Sequence, residues 1–329
     1  MKVLVTGASG MLGSATARAL AARGDQVTVL QRRPAGLGLP EVLGDIADPA
    51  AVGRAVAGQD AVVHLAAKVN ITGAWPGYRR ANIVGTAALV AACRDAGVPR
   101  LVHVSSPSVA HAGESLVGAP AGVADPAGAR GAYARSKARA EQIALAADGA
   151  GLAVVAVRPH LVWGPGDPQL IERVVARARA GRLFTVGSGA ALIDSTYVDN
   201  AVDALVAALD RCTAAHGQAL VVSNGEPRPV AELFDSICAA ARVPGPQRRV
   251  PVGVAYAAGV AAEGVWAVRA RIRGQEDDPP LTRFLAEQLS TAHWFDQRHT
   301  REVLAWAPKI SLDEGFAQLE TWYRGLGSN

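Results

Sequence analysis

Residues 1–20 read MKVLVTGASGMLGSATARAL, and this opening decides how the rest of the chain is read. Val3–Thr6 is a short apolar, β-branched run of the kind that fills a buried strand, and Met11–Arg23 has the alanine-rich pattern of a helix. Gly7, Gly10 and Gly13 stand at the corner between them. Glycine loses more backbone freedom on ordering than any other residue, so three at one corner imply that something comes close to the backbone there. The geometry that needs them is specific. Gly7 makes a tight turn, Gly10 lets an anionic pyrophosphate approach, and Gly13 lets the helix pack on the sheet. The anion then rests on a helix N-terminus, where unpaired N–H groups and the dipole favour negative charge.

Outward from this corner, apolar runs alternate with helical patterns through the first half. Val27–Leu30, Ala61–Leu65, Leu101–Ser105, Ala153–Val157 and the start of Ala219–Pro227 read as strands; Pro49–Ala57, Tyr78–Ala96 and Ala132–Ala147 read as helices. Near-continuous apolar strands alternating with helices predict an α/β fold, a Rossmann-type doubly wound parallel sheet. The second half is richer in helices, at Pro168–Ala180, Val230–Ala241, Leu281–Leu289 and Ser311–Tyr323, separated by Pro/Gly breaks. The expected organisation is a dinucleotide-binding domain over 1–165, with 195–225 returning to it, and a smaller substrate lobe from 166–194 and 226–329. The lobe lies over the carboxyl ends of the strands, where ligands bind in open α/β sheets.

Composition excludes other classes. The 329 residues carry a formal net charge of only +4, and the basic residues are scattered without interleaved aromatics, so nucleic acid is not an expected partner. Cys93, Cys212 and Cys238 are odd in number and far apart, with no CxxC, which fits a reducing cytoplasm and neither a disulfide framework nor a thiolate metal site. No metal is expected. The first residues already read as a strand, not a secretory leader. The most apolar stretch, Val250–Ile272, is interrupted by Glu263 and ended by Arg269, Arg271 and Arg273; it predicts a buried or surface-lying helix with at most peripheral membrane contact.

Two further stretches carry chemistry. In VTVLQRRP the second strand ends at Gln31, where an acidic residue would hold a ribose 2′-hydroxyl; Arg32 and Arg33 follow and can clamp a 2′-phosphate. This predicts NADP(H) in preference to NAD(H). In GAYARSKARAEQ, Tyr133 and Lys137 are four residues apart and share a helix face. A phenol with an ordinary pKa of about 10 is a poor acid–base group at neutral pH, and a neighbouring ammonium favours its ionised form.

The GxxGxxG spacing, the YxxxK pair and the serines of LVHVSSPSVAH together resemble the extended short-chain dehydrogenase/reductases, and the resemblance covers nearly the whole chain. It implies a catalytic set of Ser106, Tyr133 and Lys137, with Ser105 and Ser108 as weaker choices, and a helix asparagine, Asn82, tied to proton relay. It further implies cofactor contacts from Thr6, Gly7, Ser9, Gly10, Met11, Leu12 and Gly13; from Arg32, Arg33, Asp45 and Ile46; from Leu65, Ala66 and Ala67; and from Tyr133, Lys137 and Pro159. His64 is expected to be structural and Tyr197, Asp199 and Asn200 positional, with Asp199 also suited to an N-cap before the alanine-rich helix. Nucleotide-sugar enzymes of the superfamily carry an asparagine where this chain has Leu161. RPHLVWGPGD, SNGEP and DPPLTRFLAEQLSTAHWFD instead look like the 3β-hydroxysteroid dehydrogenase group. The implied substrate is a lipid-like ketone, foremost a 2-alkyl-3-oxo fatty acid reduced to the 3-hydroxy acid. Sterol oxidation is the alternative, and a non-catalytic dinucleotide sensor is the reading from another class. Family enzymes often dimerise through the helix that carries Tyr133, so a homodimer is expected.

Overall fold

In the computed structural model, residues 1–69, 73–110, 113–273 and 282–326 are described, the helix at 267–273 by its backbone alone. Seven strands form one sheet: β1 (Lys2–Thr6), β2 (Gln26–Gln31), β3 (Glu41–Leu43), β4 (Ala61–His64), β5 (Arg100–Val104), β6 (Ala153–Pro159) and β7 (Ala219–Val222). Their spatial order is β7-β6-β5-β4-β1-β2-β3, and every pairing is parallel. The chain winds outward from β1 through β3, then resumes at β4 on the other side. The β1/β4 boundary is therefore the switch point where such sheets open a binding crevice.

Alternation along each strand explains the apolar runs. Val3, Val5, Val63, Val102 and Val155 face a core shared with Leu20 of helix Met11–Ala22 and with Leu205 and Leu209 of helix Val198–Asp210. Leu4, Val62, Leu101 and Val154 face the opposite core, with Val52, Leu89 and Ala144. Both faces are covered, so both registers of side chains are mainly apolar.

The remaining helices build a second core around Trp163, Ile171, Leu233, Phe234, Ile237, Phe316 and Leu319. Trp163 is fully buried, stacks on Phe316 at 4.4 Å and meets Tyr197 edge-on. A small sheet, ordered Arg228–Pro229, Leu192–Ile193, His293–Phe295, Leu116–Ala119, joins these helices to the segment between β5 and the Tyr133 helix. The sequence reading did not anticipate this sheet, because its strands are two to four residues long and too short for a period-2 pattern. It also did not anticipate β3, an edge strand of three residues. Val252–Arg273 is a helix, as its composition suggested, with Val252, Val254, Tyr256, Val260 and Val265 exposed. Among the described residues no helix is long and apolar enough to cross a membrane. The side chains of Arg269, Arg271 and Arg273, and the segment 274–281, lie outside the described residues.

Candidate active site

The glycine corner lies at the switch point. Gly7 has φ +76°, and a Cβ there would sit 2.7 Å from the Ala66 backbone nitrogen; only glycine permits this close approach between the β1 turn and the loop after β4. A Cβ on Gly13 would fall 2.3 Å from the Gly7 carbonyl oxygen, so the helix seats directly on the turn. Gly10 is different. A Cβ there meets only the Gly7 oxygen, at 3.6 Å, and the residue is exposed. The helix that begins at Met11 has no side-chain cap. Its first turn is thus left without a side-chain partner, beside the one glycine of the three at this corner whose missing side chain the protein does not itself fill. That cradle fits a pyrophosphate. Ser9 is exposed beside it, and Met11 and Leu12 are half-buried at the helix start.

Thr6 closes the floor of the crevice. Its hydroxyl accepts the Ala66 amide at 3.1 Å and lies 2.8 Å from His64 Nδ1, while His64 Nε2 lies 3.1 Å from the Thr86 hydroxyl. The two threonine hydroxyls satisfy both ring nitrogens of the neutral imidazole, one donating and the other accepting. Burial, with the nearby Lys137 charge, holds the His64 pKa down at about 3. This is a structural histidine that fixes Leu65, Ala66 and Ala67 along the crevice.

At the end of β2, Gln31 is buried and donates to the carboxylate of Glu41 on β3, which also accepts the Ala35 amide at 3.0 Å. Glu41 was missed in the sequence because it lies ten residues downstream of Gln31, on a strand too short to recognise. Arg32 and Arg33 are exposed. Asp45 pairs with Arg80 at 3.0 Å and accepts the Ala47 amide; burial pushes its pKa up, and these partners pull it below the usual range. Ile46 is buried beneath Gly85, where a Cβ would fall 2.7 Å from Ile46 Cγ2. Pro159 ends β6, in register with Val222.

The second half of the site hangs on helix Gly131–Leu145. Tyr133 is half-buried and hydrogen-bonded to Ser106. Ser106 also lies 3.0 Å from the Ser108 hydroxyl. Ser105 is buried, with no hydrogen-bond partner for its hydroxyl among the described residues. Of the three serines, Ser106 is the one brought to the phenol. Lys137 is buried and donates to the Val104 carbonyl at 2.6 Å; desolvation lowers its pKa to about 8, against an upward pull from Glu141. Burial raises the Tyr133 pKa, opposed by the Ser106 hydrogen bond. In this arrangement desolvation, not the lysine, dominates the phenol.

Asn82 occupies a π-helical turn, Arg79–Val84, between two α-helical segments. Its Oδ1 accepts the Lys68 amide at 2.7 Å, and its Nδ2 donates to the Lys68 carbonyl and to Ser136 Oγ at 2.8 Å. It ties the loop after β4 to the Tyr133 helix and touches neither the phenol nor the ammonium. Asp199 lies in the first turn of its helix, whose N-cap is Tyr197, so it favours the helix dipole without capping it. Asn200 instead gathers the Lys309 and Ile310 amides, and the Tyr197 hydroxyl donates to Gln318 at 2.7 Å.

Ser106 and Tyr133 open onto a cavity of about 160 Å³, lined besides by Pro107, Ser108, Leu116, His160, Leu161, Gln288, His293 and Phe295. No carboxylate, ammonium or guanidinium lines it among the described residues. Its far wall is held by Asp194, fully buried, which accepts the Phe295 amide at 2.9 Å. Burial raises the Asp194 pKa to about 6 despite that hydrogen bond. A carboxyl whose folded pKa exceeds its unfolded value of about 3.9 binds more protons when folded, so stability falls as pH rises through about 4 to 6. The variant Asp194→Asn keeps an acceptor for Phe295 and abolishes the titration. Its melting temperature relative to wild type should rise between pH 4 and pH 7; a constant difference across that range contradicts the assignment.

A dinucleotide cradle at the switch point, beside a hydroxyl–phenol pair with a buried lysine on the same helix, defines a nicotinamide-dependent oxidoreductase of the Rossmann type. The chain belongs to the NAD dependent epimerase/dehydratase family, whose model matches residues 3–223. It is 43% identical to 2-alkyl-3-oxoalkanoate reductase of Stenotrophomonas maltophilia (strain K279a), over 97% of this chain and 98% of that protein. It is 28% identical to 3-beta-hydroxysteroid dehydrogenase of Mycolicibacterium neoaurum, over 99% and 92%. Among solved structures it is similar to MoeE5 in complex with UDP-glucose and NAD, at 26% identity and a TM-score of 0.75, over 99% of each chain. The protein is an NAD(P)-dependent enzyme that interconverts a secondary alcohol and a carbonyl.

Proposed function

We propose that the enzyme uses NADP(H) to reduce the ketone of a lipid-like 2-alkyl-3-oxo acid to the 3-hydroxy acid. The observation that carries this reading is the Ser106–Tyr133 pair opening onto a cavity with Pro107, Leu116, Leu161 and Phe295 in its wall and, among the described residues, no charged side chain. A nucleotide-sugar diphosphate needs cationic partners, and none lines this wall among the described residues. Pro107, Leu116, Leu161 and Phe295 suit alkyl chains, and the His160, Gln288 and His293 side chains offer polar contacts to an acid group. The relatives named as acting on oxoalkanoates and steroids support the same substrate class.

The Gly7–Gly13 cradle would hold the dinucleotide, which would supply the hydride. Tyr133 gives its proton to the substrate oxygen as the carbonyl carbon is reduced, and Ser106 hydrogen-bonds that oxygen and aligns it. Lys137, one helical turn from Tyr133 and anchored on the Val104 carbonyl, keeps an ammonium beside the reacting end of the sheet, with its pKa lowered to about 8 by burial. Asn82 is a positioning residue. The division of labour follows: residues 1–165 with 195–225 bind the dinucleotide and supply most of the cavity wall, and 166–194 with 226–329 close the cavity through Gln288, His293 and Phe295.

The preference for NADP(H) rests on exposed Arg32 and Arg33, with Glu41 already engaged by Gln31 and Ala35. Charge-assisted hydrogen bonds are worth about 1.5–3 kcal/mol. Replacing both arginines by alanine should therefore raise the KM for NADPH by about 10- to 100-fold and leave that for NADH nearly unchanged. Equal use of the two by the wild type sinks the preference. The substrate reading is tested by following NADPH absorbance with a 2-alkyl-3-oxo acid, a 3-keto steroid and a UDP-sugar. Turnover of the UDP-sugar alone overturns it, and cofactor binding without turnover of any ketone makes the protein a sensor. The reading includes a cytoplasmic homodimer with at most peripheral membrane contact along Val252–Arg273, checked by light scattering and by vesicle co-sedimentation at low and high salt.

A further inference from the structure

Leu161 follows directly on β6 and His160, and its backbone has φ +46°. That region brings Cβ against the following carbonyl and is populated mainly by glycine and asparagine; a bulky side chain there is strained. Arg242 and Ala305 are the other non-glycine residues with positive φ among the described residues, and both close helices, where this conformation is a common cap. Leu161 closes no helix. Its carbonyl accepts the Thr196 amide at 3.2 Å, and Val162–Trp163 pairs immediately with Thr196–Tyr197, so the turn is fixed by the strands on either side. The fold thus demands a left-handed residue at 161 whatever its side chain is.

Leu161 nevertheless lines the cavity into which Ser106 and Tyr133 open, and is half-buried against the edge of the second core. A strained leucine at a position suited to glycine or asparagine, directly beside the reacting groups, is backbone strain located at a functional site. We propose that Leu161 determines substrate specificity: its isobutyl group forms the apolar wall against which the alkyl chain of the substrate lies, and that contact is the reason the strain persists. This rests on the lipid-like substrate proposed above.

The experiment uses full-length Leu161→Ala and Leu161→Asn. Both shorten the wall, and only asparagine suits the left-handed backbone. Each is assayed with NADPH on a long-chain 2-alkyl-3-oxo acid and on 2-methyl-3-oxobutanoate, and each is melted thermally. One lost apolar contact in a pocket is worth about tenfold or more in discrimination. The expected result is a drop of about tenfold in kcat/KM for the long substrate in both variants, with a clearly smaller loss on the short one. The asparagine variant should melt above the alanine variant by about 2 °C or more. Parallel losses on both substrates, or no loss on the long one, overturn the proposal. So does an alanine variant as stable as the asparagine one, because the strain argument then fails. A wild type that reduces neither acid overturns the substrate reading itself, and the melting order still reports separately on the strain.

Discussion

Replacing Tyr133 by phenylalanine should lower the turnover number by about 100- to 10,000-fold, the usual contribution of a positioned general acid–base. The variant keeps the ring and loses only the hydroxyl that bonds to Ser106. Tyr133 is half-buried at the start of a helix whose neighbours Ala134, Ser136, Lys137 and Ala138 are buried, so the packing that seats the helix survives. Cofactor affinity, measured by fluorescence titration, should change little, because the cradle is built on the β1 turn, the β2 end and the loop after β4. A loss confined to KM, or an unchanged turnover number, contradicts a proton-transfer role for the phenol.

The largest effect on stability is expected at a pair that sequence reading did not single out. Arg158 on β6 and Glu141 on the Tyr133 helix are at most 1% exposed, joined by two hydrogen bonds, one of them 2.8 Å long. Arg158 also donates to the Ala121 and Gly122 carbonyls. Breaking such a pair leaves one charge buried and uncompensated, at a cost of about 3–5 kcal/mol. Glu141→Gln should therefore lower the melting temperature by on the order of 10 °C. Replacing both residues by leucine removes both charges, and much of the loss should return. A single variant within a degree of wild type, or a double variant worse than either single one, contradicts this account. Since Glu141 also raises the Lys137 pKa, its neutralisation moves that ammonium further down, a separate readout in the basic limb of the pH–rate profile.

The sheet apart from β3 was legible because its strands are mainly apolar on both faces and alternate with alanine-rich helices; period and composition agree over long stretches. The glycine corner was legible because each glycine answers a different steric demand, and the close approaches at Gly7 and Gly13 are of the kind those demands require. Ser106, Tyr133 and Lys137 could be named because they stand at fixed offsets from a strand end and along one helix face. What stayed hidden is what depends on distant partners. Glu141 and Arg158 read as ordinary charges until the fold buries them together. Glu41 reads as a loop acid until β3 sets it beside Gln31. His160, Gln288, His293 and Phe295 come from segments more than a hundred residues apart, and only the small sheet brings them to one cavity wall.

The π-helical turn at Arg79–Val84 has the geometry of a one-residue insertion, and it sets the phase of the helix on either side of it. Each residue advances an α-helix by about 100°, so everything before the turn is rotated by that much relative to a regular helix. Two fits are thereby met at once. Downstream, Gly85 sits on Ile46 and Thr86 reaches His64; at the turn itself, Asn82 reaches both Lys68 and Ser136. Deleting one residue here would leave the helix intact and fully hydrogen-bonded, yet only one of these fits could be kept. A shortened helix of this kind would fold and pack while uncoupling the crevice loop from the helix that carries the phenol.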